Sequence, residues 1–215
     1  MIEYNPTKAQ SNTMLLFGTP VFLYDTHYSD TNVHDTTNEQ TAMTLNTAQN
    51  FSSANHNILE LDHYSEIKRR ILDGLDVYIN EVMCIDKKHS FYLTQSWLNI
   101  NPPGTAHHKH NHSNSIISGV YYIETDETDS ITFSSNSNTN ITANETLAID
   151  VSEYNLANSR NWTIPVGTNG IIYFPSTLLH EVAPNKSDKT RISLAFNVFV
   201  KGLFGKNENL NELHL

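Results

Sequence analysis

The pattern of apolar and polar residues changes character near residue 90. Before that point, apolar residues between Ser65 and Val82 recur at spacings of three or four, which is the period of an amphipathic helix. The stripe consists of Ile67, Ile71, Leu75, Tyr78 and Val82. Further along the chain, short runs of β-branched and aromatic residues alternate with turn-forming residues. The pattern therefore predicts one helix followed by a series of strands.

Strands are predicted for one segment before the helix and for seven after it. These segments are Met14–Tyr24, Phe91–Ile100, Ser115–Glu124, Ser130–Phe133, Thr146–Val151, Asn161–Val166, Gly170–Phe174 and Arg191–Val200. Seven short strands within about 110 residues favour a sandwich or jelly-roll barrel over an α/β fold. Asp25–Asn57 is polar and is predicted as loops with one weak helix, and Ser134–Asn144 is predicted as a hairpin loop.

Length and composition narrow the class of protein. A chain of 215 residues buries one sizeable core, so a single domain is expected. The 23 acidic and 13 basic residues give a formal charge of −10, which disfavours non-specific binding to duplex nucleic acid. Cys84 is the only cysteine and Met1–Thr13 has no secretory signal pattern, so a reducing, cytoplasmic compartment is expected. Because no run approaches 18 apolar residues, no membrane span is expected.

Histidines are concentrated in one octet, Ala106–Ser113, which contains four of the 11 in the chain. In an extended segment His108, His110 and His112 lie on one face and His107 on the other, and a pair at i and i+2 can chelate one ion. His180, after a predicted strand, is a third candidate ligand. Neutral imidazoles suit Fe, Zn, Ni and Cu. The alternative is a solvated histidine-rich loop in an asparagine-rich chain.

Arg191 opens the last predicted strand, and Ser193 lies two positions later on the same face. An arginine that points into a barrel is costly to bury unless it meets an anion, and its planar fork suits a carboxylate. The alternative is a surface arginine paired with Asp188 or Glu181.

Five phrases in this order resemble the 2-oxoglutarate- and iron(II)-dependent dioxygenases, in particular a subfamily related to the prolyl hydroxylases. The phrases are Ser96–Gly104, His110–Ser115, Ser118–Tyr122, Tyr173–Ser176 with His180, and Arg191–Asn197. The resemblance covers roughly residues 91–205, with a weaker echo in 16–21. It implies a mainly β fold, a double-stranded β-helix (jelly roll, cupin-like) with a supporting helix packed on the sheet. It also implies one dioxygenase-like domain over residues 1–215, with its catalytic core at about 91–205.

The resemblance also implies the residues of the site. Iron(II) would be held by His110, His112 and His180. The co-substrate 2-oxoglutarate would be held by Arg191 with Ser193, and by Tyr122, whose alternative role is a core aromatic. The sequence departs from the family because His112 stands where the usual triad has a carboxylate. Glu124 and Glu181 are alternative sources of that carboxylate.

The implied activity is hydroxylation of an unidentified substrate, with a protein side chain or a small molecule favoured. One rival is a cupin-like module that holds Zn or Ni with three histidines and performs no redox turnover. A second rival is a carbohydrate- or protein-binding jelly roll without metal. The tail Gly202–Leu215 is expected either to cap the barrel or to contact a second subunit in a homodimer.

Overall fold

The computed structural model describes residues 18–25, 42–135 and 149–215. These residues form antiparallel β-sheets with one α-helix, α1 (Ser65–Val77). The strands are β1 (Phe22–Asp25), β2 (Met43–Leu45), β3 (Phe51–Ser53), β4 (Ser90–Asn101), β5 (His107–His110), β6 (Ile117–Glu124), β7 (Ser130–Ser134), β8 (Asn161–Pro165), β9 (Gly170–Pro175), β10 (Leu179–Val182), β11 (Arg191–Lys201), β12 (Leu203–Phe204) and β13 (Leu213–His214). No helix in the described ranges is long and apolar enough to cross a bilayer.

Two sheets build the barrel. The larger has the order β1-β9-β6-β11-β4-β3-β2, and the smaller has the order β5-β10-β7-β8. Side chains from both sheets meet in a shared apolar cluster that includes Tyr122 of β6, Phe133 of β7 and Phe174 of β9. This arrangement confirms the predicted mainly β, double-stranded β-helix fold. The interior between the two sheets is where the candidate site lies.

Helix α1 covers the outer face of the larger sheet. Its apolar stripe, with Ile67, Ile71 and Leu75, packs in one cluster with Tyr173 and Phe196 of the sheet. Gly74 permits close approach at this contact, since a Cβ there would lie 2.5 Å from the Tyr173 hydroxyl. The predicted helix is therefore confirmed over 65–77, and residues 78–82 continue it as a wider π-helical turn.

Most predicted strands are found close to their expected bounds, and the other segments require correction. No strand was predicted for six of the observed ones: β2, β3, β5, β10, β12 and β13. The predicted strand Thr146–Val151 is wrong at residues 149–151, because these residues form no strand. The rest of this segment lies outside the described residues. Other predicted segments also extend beyond the described part of the chain, at residues 14–17, 26–41 and 136–144. The described tail is a short hairpin of β12 with β13.

Gly119 in the middle of β6 lies opposite Phe196 of β11 and Tyr173 of β9. A Cβ at this position would collide with the Phe196 ring and lie 2.7 Å from the Ile172 carbonyl oxygen. We expect Gly119→Ala to destabilise the fold by about 1 to 3 kcal/mol through overpacking. Urea unfolding measures the loss, and Gly167→Ala is the matched control because nothing lies within 4 Å of its added methyl group. Equal unfolding midpoints for the two variants would contradict the close packing described here.

Candidate metal centre

Strand pairing brings two distant histidines together. His110 on β5 and His180 on β10 are direct partners across the antiparallel ladder, and their ring centroids are 4.3 Å apart. His112 follows β5 and is positioned by its backbone N–H, which donates to the Ser176 carbonyl at 2.9 Å. Its ring centroid lies 5.1 Å from those of His110 and His180. The structure thus places the three predicted ligands side by side.

All three rings are fixed in the same tautomer. The Nδ1 atom of His110 lies 2.7 Å from the His108 carbonyl oxygen, and that of His180 lies 3.0 Å from the Leu178 carbonyl oxygen. The Nδ1 atom of His112 lies 2.7 Å from Asn197 Oδ1. Because a carbonyl oxygen only accepts, each Nδ1 must carry the proton and donate it. Each Nε2 therefore keeps a free lone pair.

The free nitrogens can share one ion. The three ligand atoms lie within 4.8 Å of one another, and Nε2 of His112 is buried without a hydrogen-bond partner among the described residues. Three such atoms have a common centre at most about 2.8 Å from each, so a small contraction reaches the 2.0 to 2.1 Å of a typical imidazole–metal bond. The orphaned nitrogen and the all-imidazole donor set fit a divalent transition metal.

In the described part of the chain, this cluster contains no carboxylate. Glu181, considered above as a further ligand, instead forms an ion pair with Lys109 at 3.4 Å. Glu124 lies exposed at the far end of β6, opposite Ile192. Neither of these acidic side chains therefore joins the three histidines.

Burial keeps the three imidazoles neutral. It lowers the pKa of His180 to about 3, with a smaller opposing effect from the hydrogen bond to Leu178. Burial also lowers the pKa of His110 and of His112. Neutral imidazole is the form that binds a metal ion, so the cluster is ready to bind at neutral pH.

Asn197 on β11 anchors the His112 ring, and the sequence did not single it out for this role. Its Oδ1 atom accepts hydrogen bonds from His112 Nδ1 and from Ser118 Oγ at 2.8 Å. Ser118 Oγ also lies 2.8 Å from Ser176 Oγ, which donates to Ser115 Oγ at 2.7 Å. This buried chain of hydrogen bonds links β11, β6 and the turn after β9. It fixes the orientation of His112.

The other two histidines of the octet lie outside the cluster. Strand β5 ends at His110, so the extended segment expected to reach His112 is shorter than predicted. The His107 ring stacks on His110 at 4.6 Å, and burial lowers its pKa to about 4. His108 is exposed. Neither belongs to the group of converging ligand atoms in the described residues.

Arg191 is buried inside the barrel and pairs with Asp129. Its Nη1 atom donates to Asp129 Oδ1 at 2.7 Å, and the two side chains are only 4% and 3% exposed. The alternative of a surface arginine paired with Asp188 or Glu181 is therefore wrong. Asp129 lies just before β7, and its other oxygen accepts the Asp126 backbone N–H at 2.9 Å.

Two buried hydrogen-bond donors at this ion pair have no acceptor among the described residues. Arg191 Nη2 and Asn101 Nδ2 have no hydrogen-bond partner among the described residues. Arg191 and Asn101 are direct neighbours across the β11–β4 ladder. Two unsatisfied donors on adjacent strands, one of them charged, form an arrangement that suits a carboxylate.

Tyr122 and Ser193 face each other across the β11–β6 ladder, on the interior side of the larger sheet. Both are buried. Burial raises the pKa of the Tyr122 hydroxyl, while the charges of Arg191 and Asp129 act on it in opposite directions. Tyr122 is therefore a neutral hydroxyl near the buried ion pair, and it is at the same time part of the apolar cluster between the sheets.

A cavity of about 550 Å³ opens over the histidines. Its described lining comes from the segment 45–52, from β4, from residues 107–113 and from Asn197. His110 and His112 form part of its wall. A molecule in this cavity would therefore lie directly against the candidate metal centre.

A family model described as "Putative 2OG-Fe(II) oxygenase" matches residues 95–197. This span contains the three clustered histidines together with Tyr122, Arg191 and Ser193. No sequence among the curated proteins matches the chain.

Solved structures share the fold at low sequence identity. The chain is similar to the α-ketoglutarate-dependent epimerase SnoN from nogalamycin biosynthesis, with a TM-score of 0.60, 10% identity and coverage of 84% of this chain and 78% of that one. It is similar to HygX from Streptomyces hygroscopicus, solved with nickel, 2-oxoglutarate and hygromycin B (0.56, 9%, 84% and 82%). It is also similar to a Pseudomonas putida prolyl-4-hydroxylase (0.50, 12%, 83% and 92%).

Proposed function

We propose, on the premise that the chain belongs to the superfamily of 2-oxoglutarate- and iron(II)-dependent oxygenases, that it hydroxylates a substrate in the cavity above the histidines. The observation that carries the proposal is the shared tautomer of His110, His112 and His180. Each ring donates from Nδ1 to a carbonyl oxygen, which leaves Nε2 free, and the ligand atoms of the three residues lie within 4.8 Å of one another. These three residues are the proposed iron ligands.

Arg191 is the proposed anchor for 2-oxoglutarate. Its Nη2 atom and Asn101 Nδ2 would donate to the distal carboxylate, because both are buried donors without a partner in the described residues. Asp129 holds the guanidinium through Nη1 and leaves Nη2 free. Tyr122 and Ser193 add two hydroxyl groups on neighbouring strands of the same interior face. Some proteins of this fold have been solved with an iron ion or with a keto acid bound.

Bound iron(II) and 2-oxoglutarate would supply the oxygen chemistry, with the co-substrate consumed to succinate. The protein would hold the metal ion and the co-substrate in position and keep water away from them. Phe174 lies 4.7 Å from the His180 ring and 5.1 Å from Phe133, so aromatic side chains shield that ligand from water. Trp97 covers His112 on the other side, with ring centroids 5.6 Å apart. A dry site strengthens the attraction between the ion and its anionic co-substrate.

Anaerobic titration of the purified protein with iron(II) and then 2-oxoglutarate tests the proposal. We expect a visible metal-to-ligand charge-transfer band that requires both additions. Admitting oxygen should then convert 2-oxoglutarate to succinate. The absence of the band at saturating concentrations would refute the proposal.

The three-histidine module without redox turnover is the second candidate, because the described cluster lacks a carboxylate. Three neutral ligands favour Zn or Ni more than the usual two histidines and one carboxylate do. The two functions differ in one measurement. A redox-inactive module would bind metal but form no succinate in the presence of oxygen.

The extent of the domain is part of the proposal. We take residues 1–215 as one domain with a catalytic core at about 91–205, a reducing cytoplasmic location, and a protein side chain or small molecule as substrate. Limited proteolysis checks the first point, since a single domain should be lost in one step rather than leave two stable fragments.

The variant Asn197→Leu tests whether Asn197 orients the His112 ring for metal binding. The substitution removes the oxygen that accepts from His112 Nδ1, so the ring is free to turn and to change tautomer. We expect the affinity for iron(II) to fall by about 10- to 100-fold, as is typical when a hydrogen-bond partner of a metal ligand is lost. Asn197→Asp keeps an acceptor oxygen and should retain most of the affinity. Calorimetric titration compares them, and equal affinity of the leucine variant would rule out this role.

A further inference from the structure

The cavity above the histidines has an uncharged wall in the part of the chain that the structure describes. Besides His107, His108, His110 and His112, its lining consists of Leu45, Asn46, Thr47, Asn50, Ser52, Gln95, Trp97, Asn111, Ser113 and Asn197. These residues contribute amides, hydroxyls and one indole, and none of them carries a formal charge. Away from the candidate metal ligands, this wall therefore offers no counter-charge to an ionic substrate.

Asn50 is the exceptional residue of this wall. It is completely buried, yet both Oδ1 and Nδ2 lack hydrogen-bond partners among the described residues. Its neighbours are already engaged, since Asn46 Nδ2 donates to Ser52 Oγ at 2.8 Å and Ser52 Oγ donates to Asn99 Oδ1 at 3.0 Å. An amide left unpaired on both sides destabilises the folded protein, so its presence here calls for a partner from outside.

The Asn50 backbone is held by a hydrogen bond, whereas its side-chain amide makes none with the described residues. Its carbonyl oxygen accepts the Asn46 backbone N–H at 2.8 Å and closes the turn between β2 and β3. Gln49 in this turn has a positive φ of 64°. The turn therefore fixes the place of Asn50 in the lining of the cavity. Trp97 supplies a flat, half-buried ring in the same wall.

We propose that Asn50 recognises an amide group of the primary substrate, which is an uncharged, amide-bearing molecule. This inference rests on the proposed function, because it assigns the substrate class of the same site. An amide presents one donor and one acceptor side by side and can satisfy Oδ1 and Nδ2 of Asn50 together. A carboxylate has no donor for Oδ1, and an ammonium group has no acceptor for Nδ2.

The test uses small probes of matched size. The neutral probe is N-acetylalanine amide, the anionic probe is N-acetylalanine, and the cationic probe is alanine amide. N-acetylalanine methylamide carries only peptide-type amides, and butyramide carries only a primary carboxamide. Comparing these two probes shows whether the recognised amide group is a peptide bond or a primary carboxamide. Binding is read from Trp97 fluorescence in a Trp162→Phe background, since the chain has only these two tryptophans.

We expect the neutral probe to bind more tightly than either charged probe. Asn50→Leu should weaken the neutral probe by about tenfold or more, the effect of losing one to two hydrogen bonds. Asn50→Asp should shift the preference toward the cationic probe. Removing a buried unpaired amide should also leave the melting temperature of Asn50→Leu unchanged or raised by about 2 to 4 °C, so loss of binding is separable from unfolding.

The inference is overturned if the leucine variant binds the neutral probe as the parent does, or if the parent binds a charged probe as tightly. The same proteins are titrated with iron(II) and 2-oxoglutarate to keep the two proposals apart. A parent that shows the charge-transfer band but no preference for the neutral probe refutes the role of Asn50 alone. A parent that shows this preference but no band refutes the oxygenase function alone.

Discussion

Replacing His180 with alanine is expected to lower the affinity for iron(II) by more than about 100-fold, beyond the range typical of losing a ligand's hydrogen-bond partner. The substitution removes one of three converging nitrogens. Unlike an exposed ligand, His180 is 4% exposed and leaves a space walled by Phe174 and Phe133, which offer no replacement donor. Anaerobic calorimetric titration with iron(II) measures the loss, and the 2-oxoglutarate charge-transfer band should disappear with it.

His108→Ala is the matched control. It removes a histidine from the same octet, but the side chain is exposed and lies outside the cluster. The hydrogen bond that orients His110 comes from the His108 backbone carbonyl and survives the substitution. We expect its iron affinity to equal that of the parent protein. Similar losses in both variants would indicate diffuse binding by the octet and would contradict the defined three-histidine centre.

The charge of the centre explains how a co-substrate would complete it. Three neutral imidazoles leave the full charge of a divalent ion uncompensated, while Arg191 and Asp129 neutralise each other nearby. A dianionic keto-acid would bring the missing negative charge to the metal and one further carboxylate to Arg191 Nη2. In enzymes with a carboxylate ligand, part of that compensation is already present. We therefore expect iron and 2-oxoglutarate to bind this chain with strong mutual dependence.

The fold could be predicted because its signals are local. The alternation of Ile192, Leu194 and Phe196 with more polar residues predicts a strand with one apolar core face. In β11 this face packs in the cluster with α1, and the opposite face is buried as well. The apolar stripe of α1 predicts a helix that packs on a sheet. In the structure Ile67 and Ile71 of this stripe pack against the sheet. Strands β2 and β3 could not be predicted because a strand of three residues carries too short a pattern to be distinguished from a loop.

The partners within the site could not be predicted, because they depend on which strands are neighbours. Asp129 lies in an acidic turn whose residues have similar local patterns, and only the barrel geometry brings one of them to Arg191. Asn50 and Asn101 are ordinary asparagines in an asparagine-rich sequence. Their significance comes from unpaired, buried amide atoms, which are a property of the folded chain alone. The spacing of the histidines, in contrast, can be read directly from the sequence.

Replacing Arg191 with leucine is expected to weaken 2-oxoglutarate binding by at least about 30-fold, or about 2 kcal/mol, while the affinity for iron(II) is unchanged. The substitution removes the proposed partner of the distal carboxylate but none of the converging nitrogens. It also leaves Asp129 buried without its counter-charge, which should cost about 3 to 5 kcal/mol of folding stability. Loss of binding by the single variant alone would therefore be open to a second explanation.

The double variant Asp129→Asn, Arg191→Leu separates the two effects. It leaves no buried charge at this position, so we expect urea unfolding to show most of the stability regained while 2-oxoglutarate binding stays lost. Asp129→Asn alone keeps the guanidinium and removes its competing anion, so this variant should bind 2-oxoglutarate as tightly as the parent or more tightly. The intensity of the charge-transfer band against co-substrate concentration gives all three affinities. Parental affinity in the double variant would show that 2-oxoglutarate is held elsewhere, and the unpaired Nη2 atom would then need another ligand.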